Sequence, residues 1–117
     1  MTTTLDGKTL NVSRFIETAS PVKFEWDVWE AEQYKRKVTT YGVVKKWFLE
    51  CFEDNVAWAD SAANHFQGKI GDIVNLTVSE GTLHQVNTNV YVLDVQVIYD
   101  KRAAGKHRVF TIELQEA

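Results

Sequence analysis

From Gln85 to Gln115 the chain alternates in a way that admits little besides an antiparallel pair of strands. Tyr91, Leu93, Val95, Val97 and Tyr99 interleave with Val90, Val92, Asp94, Gln96 and Ile98. After Asp100-Lys101-Arg102-Ala103-Ala104-Gly105-Lys106 the rhythm resumes, with Phe110, Ile112 and Leu114 against Val109, Thr111 and Glu113. A period of two over such lengths is the signature of strands, so the segment predicts a terminal hairpin spanning about 85–115. Its arms are unequal. A turn centred near Ala103-Ala104 puts Tyr91 opposite Gln115, which leaves Gln85 to Val90 without a partner inside the hairpin. Open strand edges are either protected or used, so this stretch is expected to pair with Val74 to Ser79 or with a strand of another chain. Val90, Val92, Ile98 and Val109 also make the second face partly apolar, and a helix or a neighbour has to cover it.

Upstream, Asp6-Gly7 marks an early turn before a short strand, Thr9 to Val12, continuing towards Ile16. Beyond Ser20-Pro21, the residues Val22, Phe24, Trp26 and Val28 alternate with Lys23, Glu25 and Asp27. Residues 30–38 suit either a helix surface or an exposed strand. The strand reading is preferred because Thr39-Thr40-Tyr41-Gly42 resembles a hairpin tip, which makes an extended arm of about 29–46. From Val43 to Phe52, Trp47, Leu49 and Cys51 face one way and Val44, Phe48 and Phe52 the other. Apolar residues on both faces predict a strand covered on two sides.

One helix is expected over about 55–67. Asp54 or Asn55 would cap it, Val56, Ala59, Ala63 and Phe66 would form its buried stripe, and Gly68 would stop it. So short a helix is marginal alone and must pack on the sheet. Ile73, Val74, Leu76 and Val78 then read as a strand and Glu80-Gly81 as a turn. The expected fold is mainly β with one α-helix: an antiparallel β-sandwich or partly closed barrel with a flanking helix and an extended hairpin arm. With 117 residues and a 44% apolar fraction, a single domain can bury a working core.

The residues declare no chemistry. His65, His84 and His107 stand roughly twenty residues apart without the paired ligands that a zinc site requires, so no metal and no cofactor are expected. Cys51, the one cysteine, lies in an apolar strand and reads as an inert core residue. Glu25, Asp27, Glu30 and Glu32 could in principle serve as acid and base, but their alternation reads as a solvated strand face. No phosphate loop or nucleophile elbow is present, and the protein is not expected to be an enzyme. A net charge of −3 argues against a dedicated nucleic-acid binder. The start of the chain lacks the basic and apolar regions of a signal peptide, and no run reaches the length of a membrane span. Assembly in the cytoplasm is the resulting expectation.

What remains is surface logic. Trp26 and Trp47 are expected to fill the core against Trp58. Trp29, an odd number of residues from Trp26, faces the other way and becomes an exposed anchor for a partner. Lys35, Arg36, Lys37, Lys45 and Lys46 flank the proposed tip at Tyr41, while Glu25 to Glu32 precede it, so the arm would have an acidic base and a basic tip. Such an arm can dock on a neighbouring subunit, and head-to-tail contacts of that kind build rings or tubes.

The opening Asp6-Gly7 strand, the extended mid-chain arm, the strand Trp47-Phe48-Leu49-Glu50-Cys51, the single helix and the closing Phe110-Thr111-Ile112-Glu113-Leu114-Gln115 resemble small tail-tube, distal-tail and tail-completion proteins of tailed viruses. The resemblance lies in the order of elements over most of the chain. It implies a structural subunit of a virion, assembled in the host cytoplasm, whose partners are copies of itself and other tail proteins. Nucleic acid would be only a passing cargo. Trp29, Lys35, Arg36, Lys37, Tyr41, Lys45 and Lys46 would then form the inter-subunit arm, with Gln85, Val86 and Val90 available for strand pairing. The rival reading is a monomeric carbohydrate- or nucleic-acid-binding β module using Trp29 and the basic residues.

Overall fold

A computed structural model describes residues 1–30, 33–99 and 107–117; within the long strands the side chains of Phe24, Val28, Glu30, Tyr34 and residues 38–41 are not described. The expected turn centre at Ala103-Ala104 and the acidic Glu32 lie outside the described residues.

The chain is mainly β with one α-helix. Its strands are β1 (Thr2–Leu5), β2 (Lys8–Leu10), β3 (Val12–Glu30), β4 (Gln33–Asp54), β5 (Ile73–Glu80), β6 (His84–Tyr99) and β7 (His107–Glu116), and its helix is α1 (Ala62–Gln67). All pair antiparallel in one sheet of order β2-β1-β5-β6-β7-β4-β3. The two edges of that order, β2 and β3, are joined by Asn11 alone. One residue spans less than about 4 Å, so the sheet must curl until its edges meet, although it does not close into a barrel. At the seam Phe52 N–H donates to Asn11 O at 3.0 Å. Across the mouth of the curl, His84 on β6 meets Glu17 on β3 at 3.3 Å.

Local signals explain most of the elements. Asp6 and Gly7 both have positive φ, 52° and 76°, the geometry of a two-residue hairpin turn whose twist matches its strands. In β5 Val74, Leu76 and Val78 are buried while Asn75, Thr77 and Ser79 are exposed. The inner face of the curl collects Leu5, Leu10, Trp47, Leu49, Cys51, Val90, Val92, Phe110, Ile112 and Leu114 into one core. The Trp47 indole, almost wholly buried, keeps its N–H satisfied by donating to Glu17 Oε1 at 2.7 Å.

The terminal hairpin forms as expected, but its faces do not follow one unbroken alternation. Val92 pairs with Leu114 and Asp94 with Glu113, leaving Leu93 as a one-residue bulge. A bulge reverses which alternate residues face inward. Val90 and Val92 are therefore buried before it, and Val95 lies buried and Val97 half-buried after it, while Tyr91, Leu93 and Ile98 are exposed. The apolar second face anticipated at Val90 and Val92 is the core itself.

The helix is shorter than expected and starts later. Asn55 takes a positive φ of 56° and Ala57 is extended, so residues 55–57 carry the chain away from β4 instead of winding. A single 3₁₀ turn, Trp58–Asp60, precedes Ser61, whose Oγ accepts from Ala63 N–H at 3.1 Å and caps α1. Val56 and Ala59 stay exposed, while Ala63 and Phe66 are fully buried. Six residues cannot sustain a helix by backbone bonding alone; Phe66 docking and the Glu53 carboxylate hold it. Glu53 accepts from Ala62 N–H at 2.8 Å and from Ser61 Oγ at 2.9 Å. No helix among the described residues is long and apolar enough to cross a membrane.

Candidate assembly surface

The last rung between β4 and β7 is Lys46–Gln115, whereas β3 and β4 continue to Glu30–Gln33. Beyond Lys46 the sheet therefore thins to a ribbon of two strands. Its root is marked by Pro21 and Gly42. Pro21 pairs with Val43 and the next rung is Lys23–Thr40, so β4 carries an extra residue there. Gly42, at φ +119°, supplies the backbone conformation that the bulge needs. Pro21 lies on edge strand β3, where its missing N–H costs no ladder bond. The radius of gyration is 19.0 Å and the extents are 67 × 35 × 24 Å, against about 13 Å for a compact chain of this length. The ribbon accounts for that elongation.

This geometry corrects the proposed tip. Residues 39–42 do not turn; β4 runs through them, and its pairing with β3 continues to the Glu30–Gln33 rung. The strand reading of 33–38 holds. Acidic and basic residues consequently face each other across the ribbon, with Asp27 opposite Arg36, instead of dividing into base and tip. Glu25 accepts from Arg36 at 2.7 Å and pairs with Lys23 at 3.0 Å. The Lys23 hydrogen bond and charge, with the charge of Arg36, hold the Glu25 carboxyl below its ordinary range. That direction keeps Glu25 ionised and suits an ion pair better than a general acid.

The expected interface residues fall into three places. Lys35, Arg36 and Lys37 lie on the outer half of the ribbon with Trp29, which is 74% exposed near its end. Lys45 and Lys46 sit at the root, opposite Ala19 and Thr18, about 34 Å along the strand from Arg36. The two basic groups are not one patch. The backbone of Tyr41 lies in β4 and its side chain is outside the described residues.

Gln85, Val86 and Val90 form the third place, and of the two partners expected for this stretch the structure supplies the first, Val74 to Ser79. Along β5, Ser79 pairs with Gln85, Val78 with Val86 and Val74 with Val90, so the chain itself supplies one partner strand. Val90 is fully buried and offers no side chain to a neighbour. On the other side β7 ends at Glu116 opposite Val90, and Ala117 N–H adds a bond to Asn89 O at 3.0 Å. No described strand flanks residues 84–88 on that side. The resulting cleft, about 250 Å³, brings Lys45 together with Gln85 and Val86, and Glu17, His84 and Glu116 also line it.

Alternation alone missed the apolar residues that stay outside. Trp26 and Trp58 are both exposed, so only Trp47 of the expected trio enters the core. Trp58 instead lies over the Arg108 guanidinium, 5.3 Å from its ring centre. Val22 and Val43 are exposed at the ribbon root, and Ile16 and Leu93 on the outer face of the sheet. Apolar residues on both alternations of one strand were the available signal.

The remaining titratable groups are dispersed. His65 contacts Asp6 at 2.9 Å, His84 contacts Glu17, and His107 contacts Asp54 at 2.5 Å, each histidine with its own carboxylate. Cys51 is fully buried, and that burial, reinforced by Glu53 and Glu50, pushes its thiol up to about 12. No protein-family model matches this chain, and no curated protein matches it.

Proposed function

We propose that this protein is a structural subunit that self-associates into rings or tubes, as a component of a viral tail or tail-like assembly. The observation supporting this reading is the two-stranded ribbon beyond Pro21 and Gly42. An isolated two-stranded ribbon is marginal in water, and this one exposes Val22, Trp26, Trp29 and Val43. Contact with a neighbouring copy would cover those side chains. The cleft between Lys45 and Gln85–Val86, where β7 stops, would extend the contact on the body. Other virion proteins would be the remaining partners, nucleic acid only cargo of a channel, and the virion the place of action.

Light scattering and negative-stain imaging over a range of concentrations test the reading. A defined oligomer, ring or tube is expected from the full chain. Replacing residues 23–40 by an Asn-Gly turn should give a folded monomer, because no described side chain of that segment belongs to the core. A full chain that stays monomeric at high concentration, or assembly that survives removal of the ribbon, overturns the proposal.

A further inference from the structure

The outer face of β1, β2, β5 and the first half of β6 differs from the rest of the surface. Its cross-strand rungs read Thr9–Thr4–Thr77–Asn87, Thr2–Ser79–Gln85 and Asn75–Asn89. None of these side chains is charged, in a chain where one residue in four is. Every one of them is polar and able to hydrogen-bond. The next rung, Ile73–Tyr91, places an exposed aromatic ring at the end of the plateau.

The amides are also oriented. Asn75 Nδ2 donates to Asn87 Oδ1 at 3.1 Å, to Asn89 Oδ1 at 3.5 Å and to Thr88 O at 3.4 Å. Both neighbouring carbonyl oxygens are thereby turned towards Asn75, which directs the two NH₂ groups away from it. Those NH₂ groups have no partner among the described residues. Thr77 Oγ1 spends its proton on Asn75 Oδ1 at 2.9 Å, so the hydroxyl can only accept from outside. The result is a pair of fixed donors about 7 Å apart along β6, with acceptors alongside. Thr77, Ser79, Gln85 and Asn87 border a shallow groove of about 430 Å³ on this face.

We infer that this face binds a neutral, hydroxyl-rich glycan. A polyanion would need lysines and arginines at the contact, and the plateau has none. A protein partner would be anchored by buried aromatic, apolar or arginine side chains, and here the apolar side chains are confined to the single marginal rung of Ile73 and Tyr91. Sugar hydroxyls both donate and accept, so they match outward amides and an accepting hydroxyl without charge. The Tyr91 ring offers a flat apolar surface to a pyranose face. Because Asn75 already orders the amides, little side-chain freedom is lost on binding. The face shares Gln85 and Asn87 with the cleft assigned to self-association, so the oligomeric state is measured beside binding; copies in a ring would multiply a weak single-site affinity.

Biolayer interferometry against dextran, amylose, mannan and galactan, with heparin as the acidic control, tests it. Retention by at least one neutral polysaccharide is expected, unchanged between low and high salt, with none by heparin. The N87A/N89A double variant should weaken binding by about tenfold or more, the loss of two hydrogen bonds. Absence of binding to all four neutral polysaccharides overturns the inference, as does binding that survives N87A/N89A. It is also overturned if N87A/N89A abolishes oligomers while no polysaccharide binds, an outcome that makes the face a seat for a second copy.

Discussion

Glu53 and Arg108 are register partners on β4 and β7, joined by a 2.8 Å hydrogen bond from Arg108 Nη1 to Glu53 Oε2. Both side chains are nearly buried, at 11% and 12% exposure, and the guanidinium carbon lies 5.3 Å from the ring centre of Trp58 and 5.9 Å from that of Tyr99. The same carboxylate accepts from Ser61 and Ala62 at the start of α1. One side chain therefore ties the helix to the sheet and neutralises a nearly buried cation.

Glu53→Ala should for that reason be among the most damaging single changes in the chain. It leaves Arg108 uncompensated, its Nε already buried without a partner, and it strips the helix of two acceptors. A loss of about 3–5 kcal/mol is expected from breaking one side of such a pair. Replacing both partners, as Glu53→Gln with Arg108→Met, should cost less than Glu53→Ala alone. Urea denaturation of the three variants measures this, and a double variant worse than the single one would contradict the account.

Whether such a tie could have been read in advance separates what was legible from what was not. Alternation revealed β5, β6 and β7 because each buries one face and exposes the other. It could not reveal that Leu93 is a bulge, since Leu93 is as apolar as its neighbours and a bulge leaves no mark on composition. Gly42 suits a hairpin tip by residue type, but a glycine with positive φ serves a bulge as readily as a turn. The strand therefore seemed to end where it only bends. The helix start was misplaced because Asn55 is a good cap by type, whereas the capping function belongs to Ser61, oriented by a glutamate from another element. Interactions between residues more than fifty positions apart, such as Glu53 with Arg108 or His65 with Asp6, have no local signal at all.

The ribbon's charges make an acid-dependent prediction. The folded Glu25 carboxyl titrates below its ordinary value because Lys23 and Arg36 favour its ionised form. A depressed folded pKa contributes stability that is present above about 4.5 and lost as pH falls through the folded value. The protection of the amides of residues 23–27 and 35–37, measured against their intrinsic exchange rates, should therefore hold well below neutral pH and fall in acid. In Glu25→Gln the same amides should be less protected at neutral pH, with little further change in protection in acid. An identical pH profile in both proteins would remove Glu25 from the account.

Cys51 supplies the opposite sign at the alkaline end. Its thiol is pushed up to about 12 from an ordinary value of 9.0. The folded state therefore holds its proton after the unfolded state has lost it. Stability from this group is complete below pH 9 and declines above it, by up to about 1.4 kcal/mol per pH unit. The difference in unfolding free energy between wild type and Cys51→Ala should shrink from pH 9 towards pH 11. A maleimide should leave the native thiol unmodified at pH 8 and label it fully in urea. Rapid labelling of the native protein would show that the inner face of the sheet opens readily.

The bulge at Leu93 makes the sharpest test of how the sheet is built. Removing Leu93 joins Val92 to Asp94 and turns the Val92–Leu114 and Asp94–Glu113 rungs into consecutive members of a regular ladder. Val90 and Val92 would still point inward, and so would Val95 and Val97. The deletion takes away only an exposed leucine and some local twist, and a cost within about 1 kcal/mol is expected. Removing Gln96, three residues further along the same strand, must shift one side of the cut by a single position. Either Val95 or Val97, with everything beyond it, is then carried to the wrong face. Near-UV circular dichroism and thermal melting should show a native protein for the first deletion and none for the second. Equal tolerance of both deletions would mean that the pairing of β6 with β7 does not depend on which face is buried.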